Sequence, residues 1–232
     1  MIESNENGID LDTKGVYKYN QRKRKISPSY SCFTNNLCQA YEIYCQSEDC
    51  WDNVKNYHTE FTSVADKFMY FCRFEPMITE MYKFYYPKEY NTWFKDKKKD
   101  EWLYSDDSYP PNEIFKIVCI AFNLFISMNK KDDYDSLCYI SSLDENQIKY
   151  FLYNELPIVA SFQLGELGHI MTVKGYNKEG FLIYDTYACK YLSKYKTIGN
   201  AKLIPYEDFK KLCKPTDKEF KNCICFEGVI CQ

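Results

Sequence analysis

The chain has 232 residues, of which 45% are hydrophobic and 27% are charged, and this balance excludes a disordered or fibrous protein. The net charge of −3 comes from interspersed acidic and basic residues, so the sequence offers no basic surface for nucleic acid. The length predicts one large domain or two small ones.

Two features of the composition bear on where the protein works. Twelve cysteines stand against two histidines, which suggests either disulfides or zinc. The polar N-terminal sequence lacks the apolar segment of a secretory signal, so we expect a protein made in the reducing cytoplasm, where disulfides are rare. The most apolar stretch, residues 114–128, is interrupted by Lys116 and Asn123 and predicts a buried helix rather than a membrane span.

The N-terminal part of the chain is predicted to lead into a helix. Residues 1–15 are polar and predicted to be flexible, and the aromatic segment that follows has the alternation of a short strand. Ser31 fits the N-cap of a helix whose apolar positions continue to Tyr44, which places Cys32 in the first turn. Helical spacing returns downstream, and residues of about 51–143 are predicted to form a helical insertion.

The C-terminal part changes to the pattern of short strands. Period-two alternation, helical spacing and turn residues predict five strands and two helices. The strands are 156–162, 169–176, 181–185, 201–204 and 224–230, and the helices are 144–155 and 206–212. Helices followed by an antiparallel sheet indicate an α+β fold, and the absence of a linker favours a single domain over residues 16–232.

His169 is the histidine best placed for chemistry, because it opens a predicted strand, and Asp185 ends the next strand of the same hairpin. A five-residue turn would set Asp185 opposite Met171, on the face that also carries His169, whereas a four-residue turn would put the pair on opposite faces. In the first register, the pair has the arrangement of a catalytic base and its orienting carboxylate. The other histidine, His58, lies in a polar stretch and is predicted to be at the surface.

Cys32 is the predicted nucleophile for this base, because backbone N–H groups at a helix N-terminus favour a thiolate. Gln21 lies upstream in an extended segment, where its amide can donate to a developing oxyanion. Cys38 is the rival nucleophile, but a place inside the helix would deny it the N-terminal N–H groups. A buried and inert Cys32 is the alternative at this point, because the chain holds twelve cysteines.

Four cysteines near the C-terminus test the zinc hypothesis: Cys213, Cys223, Cys225 and Cys231. They lack the paired spacing of structural zinc sites, so we expect them to pack or oxidise rather than bind metal. No metal or organic cofactor is therefore expected.

Two blocks of the sequence resemble a known family. The first holds Gln21-Arg22, Ile26, Pro28, Cys32 and Thr34, and the second holds Pro157-Ile158-Val159, Gly168-His169, Gly175-Tyr176 and Asp185. Their order resembles that of papain-like peptidases of the bacteriocin-processing-peptidase-like group, closest to the short members found in bacterial and phage lysis proteins. Two positions depart from the pattern of that group, Lys23-Arg24 and Asn35-Asn36.

The resemblance implies a papain-like fold, in which a helix with the catalytic cysteine packs on an antiparallel sheet. It implies that Cys32 is the nucleophile, His169 the base and Asp185 the residue that orients His169, with Gln21 as the oxyanion donor. The implied activity is that of a cysteine peptidase without a cofactor. The expected substrate is the peptide part of peptidoglycan, cleaved by a phage-type endolysin that reaches the cell wall through a separate holin-type protein.

Other functions are open on the same fold. One is a peptidase that acts on protein or leader-peptide substrates. Another is a non-catalytic module that holds a glycan or a protein partner on aromatic side chains such as Trp93 and Trp102, although core packing is the commoner role of such residues. The sequence predicts no particular oligomer, so a monomer is the default expectation.

Overall fold

A computed structural model describes residues 8–11, 36–41, 43–44, 83–85, 87–88, 91, 119–124, 136–165, 167–186, 189–213 and 220–228. Within these ranges, helices accompany one antiparallel sheet, which confirms the predicted α+β class. None of the helices in this part of the chain has the length and apolar character needed to cross a membrane.

Eight described strands form one antiparallel sheet. They are β1 (Ile9–Asp10), β2 (Ser136–Leu143), β3 (Ile158–Leu164), β4 (Leu167–Tyr176), β5 (Gly180–Tyr184), β6 (Thr197–Ile198), β7 (Ala201–Pro205) and β8 (Phe220–Gly228). The strand order is β2-β8-β3-β4-β5-β7-β6, so β8, the last described strand along the chain, lies between two earlier ones. β1 pairs with β4 where β4 runs beyond its pairing with β3.

Five α-helices and one short 3-10 helix, Lys190–Leu192, are seen in the described residues. α1 covers residues 36–41, 43 and 44, α2 covers 83–85, 87, 88 and 91, α3 covers 119–124, α4 is Glu145–Tyr153 and α5 is Tyr206–Cys213. The N-terminus of α4 is fixed by a capping box: Asp144 accepts a hydrogen bond from the backbone of Gln147 at 2.8 Å, and the Gln147 side chain accepts one from the backbone of Asp144 at 2.7 Å. Asp144 therefore caps the helix instead of forming its first turn.

Helices cover both faces of the sheet. Side chains alternate along each strand, so Met171 of β4 lies on one face and Thr172 lies on the other. The Met171 face packs against α4 and α5, and the rings of Phe162 and Phe209 meet there edge to face, with centroids 5.4 Å apart. α1 lies on the other face, where its Asn36 contacts Thr172.

Two strands lie where the sequence predicted other structure. β2 falls within the predicted helical insertion, whose helical part therefore ends before Ser136. Its sequence has no clear period, and β2 becomes a strand because it pairs with the distant β8. β1 falls within the segment predicted to be flexible, where Ile9 and Asp10 pair with β4 and the adjoining Leu11 is buried.

The other predicted elements agree with the structure to within a few residues. The five predicted strands correspond to β3, β4, β5, β7 and β8, and the two predicted C-terminal helices correspond to α4 and α5. The last residues of the fifth predicted strand, 229 and 230, lie outside the described residues. Each of these elements carries its own local period and is bounded by turn residues, so tertiary contacts were not needed to find it.

Tyr206 opens α5 and joins this helix to the turn between β4 and β5. Its hydroxyl donates to the backbone carbonyl of Asn177, and its ring packs edge to face against Phe181. Burial, followed by the negative charge of Glu145, raises the pKa of Tyr206 to about 12. A phenol whose pKa is higher in the folded protein than in the unfolded chain adds stability below about pH 10, and this contribution is lost as the pH rises toward 12.

We therefore expect Tyr206→Phe to lower the free energy of unfolding at neutral pH by about 1 kcal/mol, the usual net value of one hydrogen bond. Above about pH 10, stability should fall less steeply than in the wild type, because one titrating group has been removed. Urea titrations across this pH range measure both effects. Tyr150→Phe is the control, since Tyr150 is 55% exposed. An unchanged alkaline slope in Tyr206→Phe would contradict the role of this phenol.

Candidate functional site

His169 and Asp185 form a buried pair at one end of the sheet. Nε2 of His169 lies 2.7 Å from Oδ1 of Asp185, and the two side chains are 4% and 5% exposed. His169 lies near the start of β4, and Asp185 directly follows the last residue of β5. Because water is excluded, this hydrogen bond holds the imidazole ring in one orientation.

The turn between β4 and β5 does not by itself bring this pair together. It has four residues, since Tyr176 pairs with Phe181. Continued without interruption, this register would set Asp185 opposite Thr172, and His169 and Asp185 would lie on different faces of the sheet. The sequence left four- and five-residue turns open, and the observed turn is the one that separates the pair.

A β-bulge at Lys174 corrects the register. Beyond the bulge, Tyr184 pairs with Thr172, so the next residue, Asp185, lies opposite Met171 and on the same face as His169. The predicted same-face arrangement is therefore present, but it arises from an extra residue in β4 and not from a five-residue turn. The change of register is seen in the successive pairs Gly175–Leu182, Val173–Ile183 and Thr172–Tyr184.

β1 holds the bulged residue on both its main chain and its side chain. The backbone N–H of Leu11 donates to the carbonyl of Lys174 at 2.9 Å. The Lys174 side chain is buried, and its Nζ donates to the carbonyl of Leu11 at 3.0 Å and pairs with the carboxylate of Asp10 at 2.5 Å. The short N-terminal strand is thus attached to the position that sets the register of the site.

The second carboxylate oxygen of Asp185 binds the backbone. Oδ2 accepts a hydrogen bond from the N–H of Cys189 at 2.5 Å, while Oδ1 faces His169. An ionised carboxylate accepts hydrogen bonds and cannot donate them, which assigns a ring proton to Nε2 of His169. In the neutral ring, Nδ1 is then the basic nitrogen, and it can take a proton from a nucleophile.

Asn36 links α1 to the strands that carry this pair. Its Nδ2 donates to the carbonyl of Ile170 at 2.7 Å and to the hydroxyl of Thr186 at 3.1 Å. Its Oδ1 accepts from the hydroxyl of Thr172 at 3.1 Å. Asn36 has no exposed surface. In the sequence, Asn36 stands out only as a departure from a family pattern, because a lone polar residue in a helix carries no signal that it is buried.

The direction in which α1 runs follows from the contacts at the two ends of this helix. Near its C-terminal end, Tyr44 stacks on Phe226 of β8, with ring centroids 5.9 Å apart and planes at 12°. At the other end, Asn36 contacts β4 and the residue that follows Asp185. Because β3 lies between β8 and β4, α1 crosses the sheet, and its N-terminal end points toward the end of the sheet that carries His169 and Asp185.

Gln39 is a second buried polar side chain of α1. It has no exposed surface, and neither its amide nitrogen nor its amide oxygen makes a hydrogen bond within the described residues. Burial raises the pKa of Tyr184, the nearby Gln39 amide lowers it, and the charge of Asp185 raises it. The Gln39 amide therefore lies near the Tyr184 hydroxyl.

Several residues singled out from the sequence lie outside the described residues. Of the four predicted site residues, the structure brings together His169 and Asp185, while the roles of Cys32 and Gln21 stay predictions. The strand predicted after residue 15 is also outside the described ranges. The other such residues are Ser31, His58, Trp93, Trp102 and Cys231.

The described cysteines are thiols, and most of them are buried. Cys38, the rival nucleophile, has no exposed surface. Burial raises the pKa of Cys223 to about 12, and it raises the pKa of Cys138 well above the usual value, helped by a hydrogen bond with Cys119. Such thiols hold almost no thiolate at neutral pH and are poor nucleophiles.

Three of the four cysteines considered for zinc belong to the hydrophobic core. Cys223 and Cys225 lie in the cluster beneath α4 and α5, and Cys213 packs against it. Within the part of the chain that the structure describes, no group of three or more histidine, cysteine or acidic side chains is arranged to hold a metal ion.

No family model matches the sequence, and no curated protein matches it. The function is therefore inferred from the residues and their geometry.

Proposed function

We propose that this protein is a cysteine peptidase that uses Cys32, His169 and Asp185 as a catalytic triad on a papain-like fold. The observation that carries the proposal is the buried hydrogen bond of 2.7 Å between His169 and Asp185. It supplies an oriented base and the carboxylate that orients it, which are two of the three groups that the reaction needs. The third group is a nucleophile next to Nδ1 of His169.

The proposed nucleophile is Cys32, because of its position relative to Asn36. An α-helix rises about 1.5 Å per residue, so one turn upstream of Asn36 corresponds to about 6 Å along α1. α1 lies on the Thr172 face of the sheet, whereas His169 lies on the Met171 face. In this proposal, the segment before Asn36 therefore carries Cys32 past the end of β4, toward which α1 points, to reach the imidazole. At a helix N-terminus, the thiolate would also be stabilised by backbone N–H groups.

In the proposed reaction, Nδ1 of His169 takes the proton of the Cys32 thiol, and the thiolate attacks the carbonyl carbon of the scissile amide. The side-chain amide of Gln21 and the backbone N–H of Cys32 donate to the oxyanion. The imidazolium then gives its proton to the leaving amine, and a thioester forms on Cys32. His169 next deprotonates a water molecule that attacks the thioester, and the released thiolate takes up that proton.

The proposed substrate class is the peptide part of peptidoglycan, cleaved as by a phage-type endolysin. This choice is supported by the sequence resemblance alone, whereas the triad is also supported by the geometry of His169 and Asp185. A peptidase for protein or leader-peptide substrates would use the same triad. The substrate must therefore be tested separately from the chemistry.

Thiol reactivity tests the chemistry without a substrate. At about pH 6.5, we expect iodoacetamide to alkylate Cys32 at least about 100-fold faster than the buried thiols, because only Cys32 would share its proton with a histidine. Mass spectrometry of peptides after timed labelling gives the rate at each cysteine. His169→Gln should slow the alkylation of Cys32 and leave that of Cys38 unchanged.

Equally slow labelling of all cysteines would contradict the proposed nucleophile and favour the non-catalytic binding module. For the substrate, the wild type and Cys32→Ala are compared on several purified cell walls and on a panel of peptides. If the wild type clears a cell wall and Cys32→Ala does not, the result supports an endolysin. If the wild type cleaves peptides but clears no cell wall, the result supports a peptidase for protein or leader-peptide substrates. Equal clearing by both proteins would remove Cys32 from the mechanism.

A further inference from the structure

We propose that Lys174 is a positioning residue of the His169–Asp185 pair and that β1 is a detachable segment that holds Lys174 in place. This role rests on the proposed function, because it concerns how the base and its orienting carboxylate are aligned for catalysis. Lys174 itself touches neither the substrate nor the reacting atoms in this scheme. It acts on Asp185 through the pairing of β4 with β5.

Lys174 is the extra residue of β4 in its ladder with β5. The pairing resumes at Val173 and Ile183, and Asp185 follows two residues after Ile183. Burial of Ile183 in the core keeps the face on which β5 presents its side chains, so the conformation of Lys174 determines the spacing of the pair. Since Nε2 of His169 lies 2.7 Å from Oδ1 of Asp185, a displacement of about 1 Å would break this hydrogen bond.

The contacts that hold Lys174 come from β1 and from the adjoining Leu11. Nζ of Lys174 donates to the carbonyl of Leu11 at 3.0 Å and pairs with the carboxylate of Asp10 at 2.5 Å. The carbonyl of Lys174 accepts from the N–H of Leu11 at 2.9 Å. Within the part of the chain that the structure describes, Nζ of this buried lysine has no other hydrogen-bond or ion-pair partner.

Two glycines allow β1 to lie directly against β4. A Cβ atom on Gly175 would lie 2.2 Å from the carbonyl oxygen of Ile9 and 2.9 Å from Cα of Asp10. A Cβ atom on Gly8, which has a φ of +74°, would lie 2.1 Å from the carbonyl oxygen of Tyr176. Main chain thus approaches main chain, and alanine in place of Gly175 would displace β1 without removing any polar group.

Detachment of β1 gives the site a second state. β1 has only two residues, and a short strand near the end of a chain opens at a low cost in free energy. When β1 detaches, Nζ of Lys174 loses Asp10 and Leu11 together. A buried ammonium group without partners is strongly unfavourable, so the Lys174 side chain then moves to water. The main chain of β4 moves with it, and Asp185 is displaced relative to His169.

The experiment measures how fast the Nε2–H proton of His169 exchanges with water, by NMR of nitrogen-15-labelled protein. This proton is buried and donates to Asp185, so it exchanges only when the hydrogen bond opens. The readout therefore reports the alignment of the pair directly. It needs neither a substrate nor a thiol reagent.

The variants are Asp10→Ala, Gly175→Ala and the double variant Asp10→Ala/Lys174→Met. Asp10→Ala removes the partner of the buried charge, and it is the variant best suited to stay folded because Asp10 is 46% exposed. Gly175→Ala displaces β1 and keeps both charges. The double variant also removes the buried charge. Asp144→Ala is the matched control, because it destabilises the protein at the cap of α4 and leaves β1 and the pair intact.

We expect exchange of the His169 proton to be at least about 10-fold faster in Asp10→Ala and in Gly175→Ala, because both variants populate the state in which β1 is detached. In the double variant, the rate should return to within about 3-fold of the wild type, since methionine carries no charge that must move to water. Asp144→Ala should change the rate by less than about 2-fold. Unchanged exchange in Asp10→Ala, equal acceleration in Asp144→Ala, or no recovery in the double variant would overturn the positioning role of Lys174.

The same measurements separate this role from the proposed function. If Cys32 of the wild type is alkylated no faster than the buried thiols, the proposed nucleophile fails, while the response of the His169 proton to Asp10→Ala still supports the role of Lys174. If Cys32 is alkylated rapidly and the His169 proton does not respond to Asp10→Ala, the proposed chemistry is supported and the role of Lys174 is overturned.

Discussion

Replacing His169 by glutamine is expected to slow amide hydrolysis by about 10⁴-fold or more, while the protein stays folded. A glutamine side chain can donate to Oδ1 of Asp185 as the imidazole does, so the buried carboxylate keeps a partner. It has no basic nitrogen, so the variant lacks the group that takes the proton of the Cys32 thiol in the proposed mechanism. The rate is measured on a cell wall or peptide that the wild type cleaves, and folding is measured in urea.

Cys32→Ala should cause a loss of similar size, and the double variant should lose no more than either single one, because a nucleophile and its base act as a unit. His58→Gln is the control, since it removes the other histidine of the chain and should leave the rate unchanged. Losses that multiply in the double variant would contradict a shared step.

Asp10→Ala is expected to lower the free energy of unfolding by about 2 to 3 kcal/mol, a large effect for a residue in a two-residue strand. The reason is the positive charge that remains on the buried Lys174 side chain. After the substitution, Nζ of Lys174 would still donate to the carbonyl of Leu11, but it would have lost its ion pair with the carboxylate of Asp10. Because Asp10 is 46% exposed, the value lies below that of fully buried ion pairs. Urea denaturation at neutral pH measures it.

Lys174→Met should lower the free energy of unfolding by only about 1 kcal/mol, because methionine retains the packing of the aliphatic stem and carries no charge. The combination of Asp10→Ala with Lys174→Met should therefore be more stable than Asp10→Ala alone. If the double variant is less stable than Asp10→Ala, the buried charge is not what makes the loss of Asp10 harmful. Asp144→Ala, which removes only the cap of α4, is a control outside this contact.

The sequence predicted His169 and Asp185 as a pair, because both lie at the ends of strands with a clear alternation. It could not predict how they come to face each other. Lys174 continues the alternation of β4 and carries no mark of a bulge, while the turn after Tyr176 leads to the unproductive register. The bulge becomes visible only when β4 is paired with β5, and β1 supplies the contacts that hold it.

Asn36 and Gln39 show a second limit of sequence analysis. Polar residues on a helix usually face water, and both of these are fully buried because α1 crosses a face of the sheet. β2 shows a third limit, since its partner β8 lies far along the chain and its own residues have no period. The local sequence pattern thus predicted most of the helices and strands. Which polar side chains come into contact depends on how those helices and strands pack and pair.

The position of β8 determines when this molecule can assemble. β8 is the last described strand along the chain, yet it fills the gap between β2 and β3 and provides the ring on which Tyr44 of α1 stacks. Until Phe226 has left the ribosome, β2 has no strand to pair with and α1 lacks its support at one end. The contact between α1 and β8 therefore forms only after synthesis of nearly the whole described chain, and until then His169 and Asp185 belong to an incomplete sheet.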